Sequence, residues 1–180
     1  EFDLALLFVF PEASEVTDGP LSITPLFEDP LQVALPAGHP LVEREPLTLA
    51  DLSGEDWVQT SADSPCARHV VRSCLAAGFE PRVSFESDDY ATVQGLVAAG
   101  VGVALIPRLA LGAEHAGVVV RPLDPGSPTR QVVVAMPAGP GAAPAARSMA
   151  RILADVAEAH QGADVLQVAG AAHAAAPVAP

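Results

Sequence analysis

Apolar residues recur along this chain in two rhythms. Short runs, unbroken or alternating, predict strands at Phe2–Phe10, Asp56–Thr60, Arg82–Glu86, Val118–Leu123 and Arg130–Met136. The unbroken FDLALLFVF run suits a strand covered on both faces. Leu21–Pro36 predicts two short strands broken near Glu28-Asp29-Pro30, where proline disfavours smooth continuation. Spacings of three and four predict helices. Ser64 and Pro65 read as an N-cap and first helical residue; Val70, Val71, Cys74 and Leu75 form the inward stripe, and Gly78 ends the helix. In Ser87–Pro107, the short oxygens of Ser87, Asp88 and Asp89 can accept bonds from a first helical turn. Val93, Leu96 and Val97 make the buried face, Gly100 the stop, and VGVALIP the strand that follows at once. A last helix spans Ala145–His160, with Met149, Ile152, Leu153 and Val156 inward. The Ala/Gly/Pro-rich residues 161–180 read as a disordered tail.

Strand, helix and strand in close succession predict an α/β domain. Breaks near Pro30 and Pro125 divide it. Residues 30–125 would form one subdomain. Residues 1–29 would be the end of another, to which 126–160 return. A chain that leaves one lobe, builds a second and returns has the layout of a clamshell.

Composition narrows the function. Half of the 180 residues are hydrophobic but only 4% are aromatic, so the core must come from Val, Leu and Ala. Net charge is −13, with nine arginines and no lysine, which argues against this segment gripping a phosphate backbone. No apolar run reaches a membrane span, and the acidic start is unlike a signal peptide. A cytoplasmic fragment of a larger protein is expected.

Catalytic and metal signals are poor. G-x-S-x-G, H-E-x-x-H, Walker and G-x-G-x-x-G motifs are absent. Asp88 and Asp89 point about 100° apart on a helix start, so they do not share one substrate atom. Cys66 and His69 can share a helix face, but Cys74 lies elsewhere around the helix, so no metal site closes. Cys66 and Cys74 would stand roughly 12 Å apart along a helix, too far for a disulfide. Cys74 is expected as a small core residue. Cys66, in a first turn, could have its thiol pKa lowered by the helix dipole.

Five segments, FDLALL, PLFEDPLQVALPAGHPL, DLSGEDWV, AAGFEP and DDYATVQGLVAAGVGVALIP, resemble the effector-binding domain of LysR-type transcriptional regulators. The resemblance covers about Glu1–His160. It implies a periplasmic-binding-protein type 2-like α/β fold of two Rossmann-like subdomains joined by a two-strand hinge, the first incomplete here. It further implies a small-molecule effector between the lobes, self-association as dimer or tetramer, and promoter DNA bound through a helix-turn-helix absent from this chain. One branch of the family senses peroxide through two cysteines, but the spacing and context here match it poorly. A solute-binding protein of a transporter, with the same fold, is the alternative.

In open α/β sheets, ligands sit beyond strand C-termini, where helices begin. Thr60, Ser61 and Ser64 occupy one such loop, and Ser87 and Asp88 another. Val101, Gly102 and Val103 are expected to line the same site, Gly102 by letting a ligand approach the backbone. Ser64 and Asp88 would also serve as caps. Hydroxyls and free N–H groups there favour a carboxylate or other small anion. No catalytic residue, metal or cofactor is expected.

Overall fold

The computed structural model describes residues 2–11, 20–112, 115–139 and 143–174, the last fourteen of these by backbone alone. Most of the loop expected at Pro11–Pro20 lies outside the described residues. The strands are β1 (Ala5–Val9), β2 (Leu21–Pro36), β3 (Asp56–Gln59), β4 (Arg82–Glu86), β5 (Ala104–Pro107), β6 (Val118–Arg121) and β7 (Thr129–Pro137). The α-helices are α1 (Pro65–Ala76), α2 (Tyr90–Ala98) and α3 (Pro144–Ala174).

The residues gather into two compact units. One takes the chain's start to Val9, the first part of β2 to Glu28, and the chain from Gln131 on. The other takes Asp29–Arg130, with the short piece at Phe10. The chain thus changes unit inside β2 and again inside β7. The second crossing falls at Arg130, beyond the Asp124–Pro128 loop where the sequence suggested a break.

In the larger unit, β3 and β4 pair in parallel, and β2 pairs antiparallel with both β5 and β6. A parallel bridge joins Trp57 to Val103, with Val58 N–H donating to Val103 O at 2.9 Å. Side chains alternate across these strands, so each strand feeds two cores. Leu31, Val33, Leu35, Trp57, Val103 and Leu105 pack with Cys66, Val70 and Cys74 of α1. Ala34, Val58, Ala104 and Ile106 pack with Val93 and Val97 of α2. Each fully buried aliphatic side chain contributes about 1.5–3 kcal/mol.

Both helices begin and end as their sequences direct. Ser64 caps α1, its Oγ accepting from Ala67 N–H at 3.0 Å, with Pro65 in the first turn. Gly78 and Gly100 close α1 and α2 at positive φ, 94° and 77°, a conformation that residues with a side chain rarely adopt. The inward stripe of α1 differs from expectation. Cys66, Ala67, His69, Val70 and Cys74 are buried, Val71 is half-buried and Leu75 is exposed. The buried stripe begins one turn earlier than expected, at Cys66.

The smaller unit has β7 between β1 and β2. Four expectations fail here. β1 is not covered on both faces: Leu6 and Phe8 are each 46% exposed. β2 is one continuous strand rather than two; what changes at Asp29 is its set of partners. α3 turns alanines inward, with Ala146 and Ala157 buried, while Met149, Ile152 and Val156 are exposed. The helix also continues to Ala174 instead of stopping near His160. Alanine propagates a helix at almost no cost, whereas each isolated glycine costs only about 1 kcal/mol. Residues 175–180 lie outside the described residues.

Candidate functional site

The parallel strands β3 and β4 end side by side, so the loops leading into α1 and α2 meet. Ser87 N–H donates to Gln59 O at 2.9 Å, tying the two strand ends together. In the first loop, Thr60 Oγ1 and Ser64 Oγ share a 2.7 Å hydrogen bond. Ser61 N–H donates to Asp88 Oδ1 at 3.0 Å, across 27 residues of sequence. Ala62 N–H donates to Glu86 Oε2, also at 3.0 Å.

Asp89, not Asp88, caps α2. Its Oδ2 accepts from Thr92 N–H at 2.9 Å and from the Thr92 hydroxyl at 2.6 Å. The Thr92 hydroxyl, together with the helix-start N–H groups, holds the Asp89 carboxyl below the usual 3.8. Asp88 is thereby freed to reach the neighbouring loop. Several of the N–H donors expected to be vacant are therefore taken by side chains of the protein itself.

Thr60, Ser61, Ser64, Ser87 and Asp88 thus come together at one end of the sheet. Val101, Gly102 and Val103 do other work. Val103 is buried in the core and Val101 packs against the α2-side cluster. A Cβ on Gly102 would lie 2.4 Å from Asp56 O, so the missing side chain admits the β3 backbone rather than a ligand.

Four further groups escaped the sequence reading. Gln59 is only 7% exposed, and its Oε1 has no hydrogen-bond partner. The one polar residue in the inner part of DWVQT was the available signal. Glu86 closes β4 and holds Ala62. Asp29 and Arg130 form a buried ion pair, with Arg130 Nη2 and Nε 2.8 Å and 2.9 Å from Asp29 Oδ2. Leu109 N–H donates to the other oxygen, Oδ1, at 2.9 Å. Tyr90 hydroxyl donates to Cys66 Sγ at 3.5 Å. Asp29 and Arg130, 101 positions apart, gave no local sign of their pairing.

Burial pushes the Cys66 thiol up, against the smaller pull of the Tyr90 hydrogen bond. That reverses the lowering expected from its first-turn position: removal from water outweighs the helix dipole. Burial pushes Cys74 up to about 12. Both cysteines are free. No helix among the described residues is long and apolar enough to cross a membrane.

The model of the LysR substrate binding domain family matches residues 1–158. The chain belongs to that family. A LysR-domain relative, the hydrogen peroxide-inducible genes activator of Dickeya chrysanthemi, is 30% identical over 137 residues. That match covers 74% of this chain and 43% of the relative, so the chain spans less than half the relative's length. Among solved structures, the C-terminal domain of a probable LysR family regulator from Rhodococcus sp. RHA1 is 29% identical, with a TM-score of 0.69. It covers 84% of this chain and 73% of that one. The regulatory domain of Synechocystis CcmR, solved in complex with 2-PG, has a TM-score of 0.75 at 21% identity, covering 87% and 74%. The LysR fold is the α/β, periplasmic-binding-protein type 2 kind expected from the sequence. The family consists of regulators, which sets aside the transporter alternative.

Proposed function

We propose that this chain is the effector-binding and self-associating part of a LysR-type transcriptional regulator. Thr60, Ser61, Ser64, Ser87 and Asp88 form the effector wall contributed by the larger unit. The observation that carries this is the Ser61–Asp88 hydrogen bond, which joins two helix-start loops at the C-terminal ends of parallel strands. CcmR, bound to 2-PG in its solved structure, supports a small-molecule role for this fold. The ligand acts by population shift: it stabilises the arrangement it binds best, and the change passes to DNA through a helix-turn-helix outside this chain. The protein is a cytoplasmic dimer or tetramer and performs no catalysis. Residues 30–125 act as the effector subdomain, with 1–29 and 126–160 forming the other.

A peroxide-sensing role, suggested by the Dickeya relative's name, fits the cysteines poorly. Oxidation by peroxide needs an accessible thiolate. Cys66 and Cys74 are buried thiols with raised pKa values.

A thermal-shift screen of metabolites on the protein tests the effector role, since a bound ligand stabilises by mass action. A stabilising metabolite should lose its effect in a Thr60→Val/Ser61→Pro variant. An undiminished shift there would move the site elsewhere.

A further inference from the structure

Four backbone donors of the strand-end loops and helix starts are taken by the protein itself. Ser61 N–H goes to Asp88, Ala62 N–H to Glu86, Ala67 N–H to Ser64 and Thr92 N–H to Asp89. Pro65 has no N–H to offer. An anion using any of these four would have to displace a carboxylate of the protein or the Ser64 hydroxyl.

Acceptors, by contrast, remain in surplus. A carboxylate offers about four lone-pair sites. Asp88 and Glu86 are both exposed, so capacity beyond the Ser61 and Ala62 bonds faces outward. Asp63 and Asp89 are exposed on the same loops. Arg68, in the first turn of α1, has one guanidinium N–H engaged by Asp63 O. Thr60 and Ser64 bond each other, leaving a single hydroxyl hydrogen between them.

Gln59 supplies the independent sign of a ligand. Alternation puts its side chain on the same face of β3 as Trp57, the face that α1 covers. It is the last residue of β3, immediately before Thr60 in the chain and paired with Glu86 of β4. Its Oε1 is buried without a donor, which costs free energy until something donates to it. The missing partner is an N–H or O–H.

From these we infer that the effector presents a hydrogen-bond-donating, cationic or uncharged group, such as an ammonium or amide, to the Gln59–Ser64 and Glu86–Asp88 edge, and not a carboxylate. The inference rests on the effector site proposed above and adds the chemical class of its ligand. Ser61 and Ala62 are held open by Asp88 and Glu86, so the loops are shaped around acceptors before any ligand arrives.

Three probes with one ring and different head groups decide it: benzylammonium, benzamide and benzoate, each titrated into the 180-residue chain. The readout is the amide signals of Thr60, Ser61, Ser87 and Asp88 in nitrogen-15 NMR. Benzylammonium should move them at the lowest concentration, benzamide next, and benzoate not at all. In a Glu86→Gln/Asp88→Asn variant, which keeps the acceptors and removes the charge, benzylammonium should weaken about tenfold while benzamide stays unchanged. A Gln59→Leu variant should weaken both donors without admitting benzoate. If benzoate moves these signals as strongly as benzylammonium, the site stands and the inferred ligand class is wrong. If no probe moves them, the site itself fails, and the inference with it.

Discussion

Helices α1 and α3 carry similar amphipathic spacing and use it in opposite ways. In α1, Cys66, Val70 and Cys74 are buried against Trp57 and Val103 of the parallel strands. In α3, the bulky residues Met149, Ile152 and Val156 are exposed, and small alanines face inward. The larger unit clothes both faces of its sheet, one with α1 and the other with α2. The smaller unit leaves Leu6 and Phe8 of β1 exposed as well. Apolar periodicity therefore identifies a helix but does not choose which apolar side chain faces the core. That choice is made by packing against segments remote in the chain.

The contrast can be broken at several points. The largest effect is expected at Trp57, fully buried at the centre of the α1-side core. Trp57→Ala should cost about 3–5 kcal/mol, read as a lower midpoint in urea denaturation. A loss below about 1 kcal/mol would mean the core has been misplaced. Asp29→Ala leaves the Arg130 guanidinium buried without its carboxylate and should cost about 3–5 kcal/mol. Asp29→Leu combined with Arg130→Met should recover most of that, and calorimetry of the single and double variants would show whether it does.

A smaller loss is expected at Gly102, where an added Cβ meets the Asp56 carbonyl at 2.4 Å. Gly102→Ala should destabilise by about 1–3 kcal/mol through overpacking. If that variant kept full stability but lost effector binding, Gly102 would be a ligand contact after all. On α3 the prediction reverses: Ile152→Gln and Val156→Gln should each change stability by no more than about 0.5 kcal/mol. A large loss in either would show that the exposed stripe is covered by something.

The last prediction concerns pH. The Asp89 carboxyl lies below its ordinary 3.8 in the folded protein, so its cap contributes above the unfolded value and is lost as pH falls through the folded one. An Asp89→Asn variant should show a weaker decline in stability through that acid range. Acid titrations of both proteins followed by circular dichroism would reveal the difference, and parallel curves would contradict the cap's role.

Local chemistry was legible wherever a decision involves residues close in sequence. Ser64-Pro65 at a helix start and Gly78 and Gly100 at helix ends each act within one turn, and each stands where the sequence put it. The site was half legible. Strand-end loops are recognisable from strand–helix boundaries, so Thr60, Ser61, Ser64 and Ser87 could be named. The role of Asp88 could not, because two adjacent aspartates are equally good caps until the fold brings Ser61 within reach of one. Gly102 reads as an invitation to a ligand until β3 is laid beside it.

The sequence alone determined the α/β class, the LysR family and most element positions, because periodicity, caps and motif order are short-range properties. Tertiary structure alone decided which face of α3 turns inward and that Asp29 meets Arg130. It also decided that the loop donors Ser61 and Ala62 are taken by Asp88 and Glu86. These are distance relations between segments remote in the chain, and only packing brings them within hydrogen-bonding range.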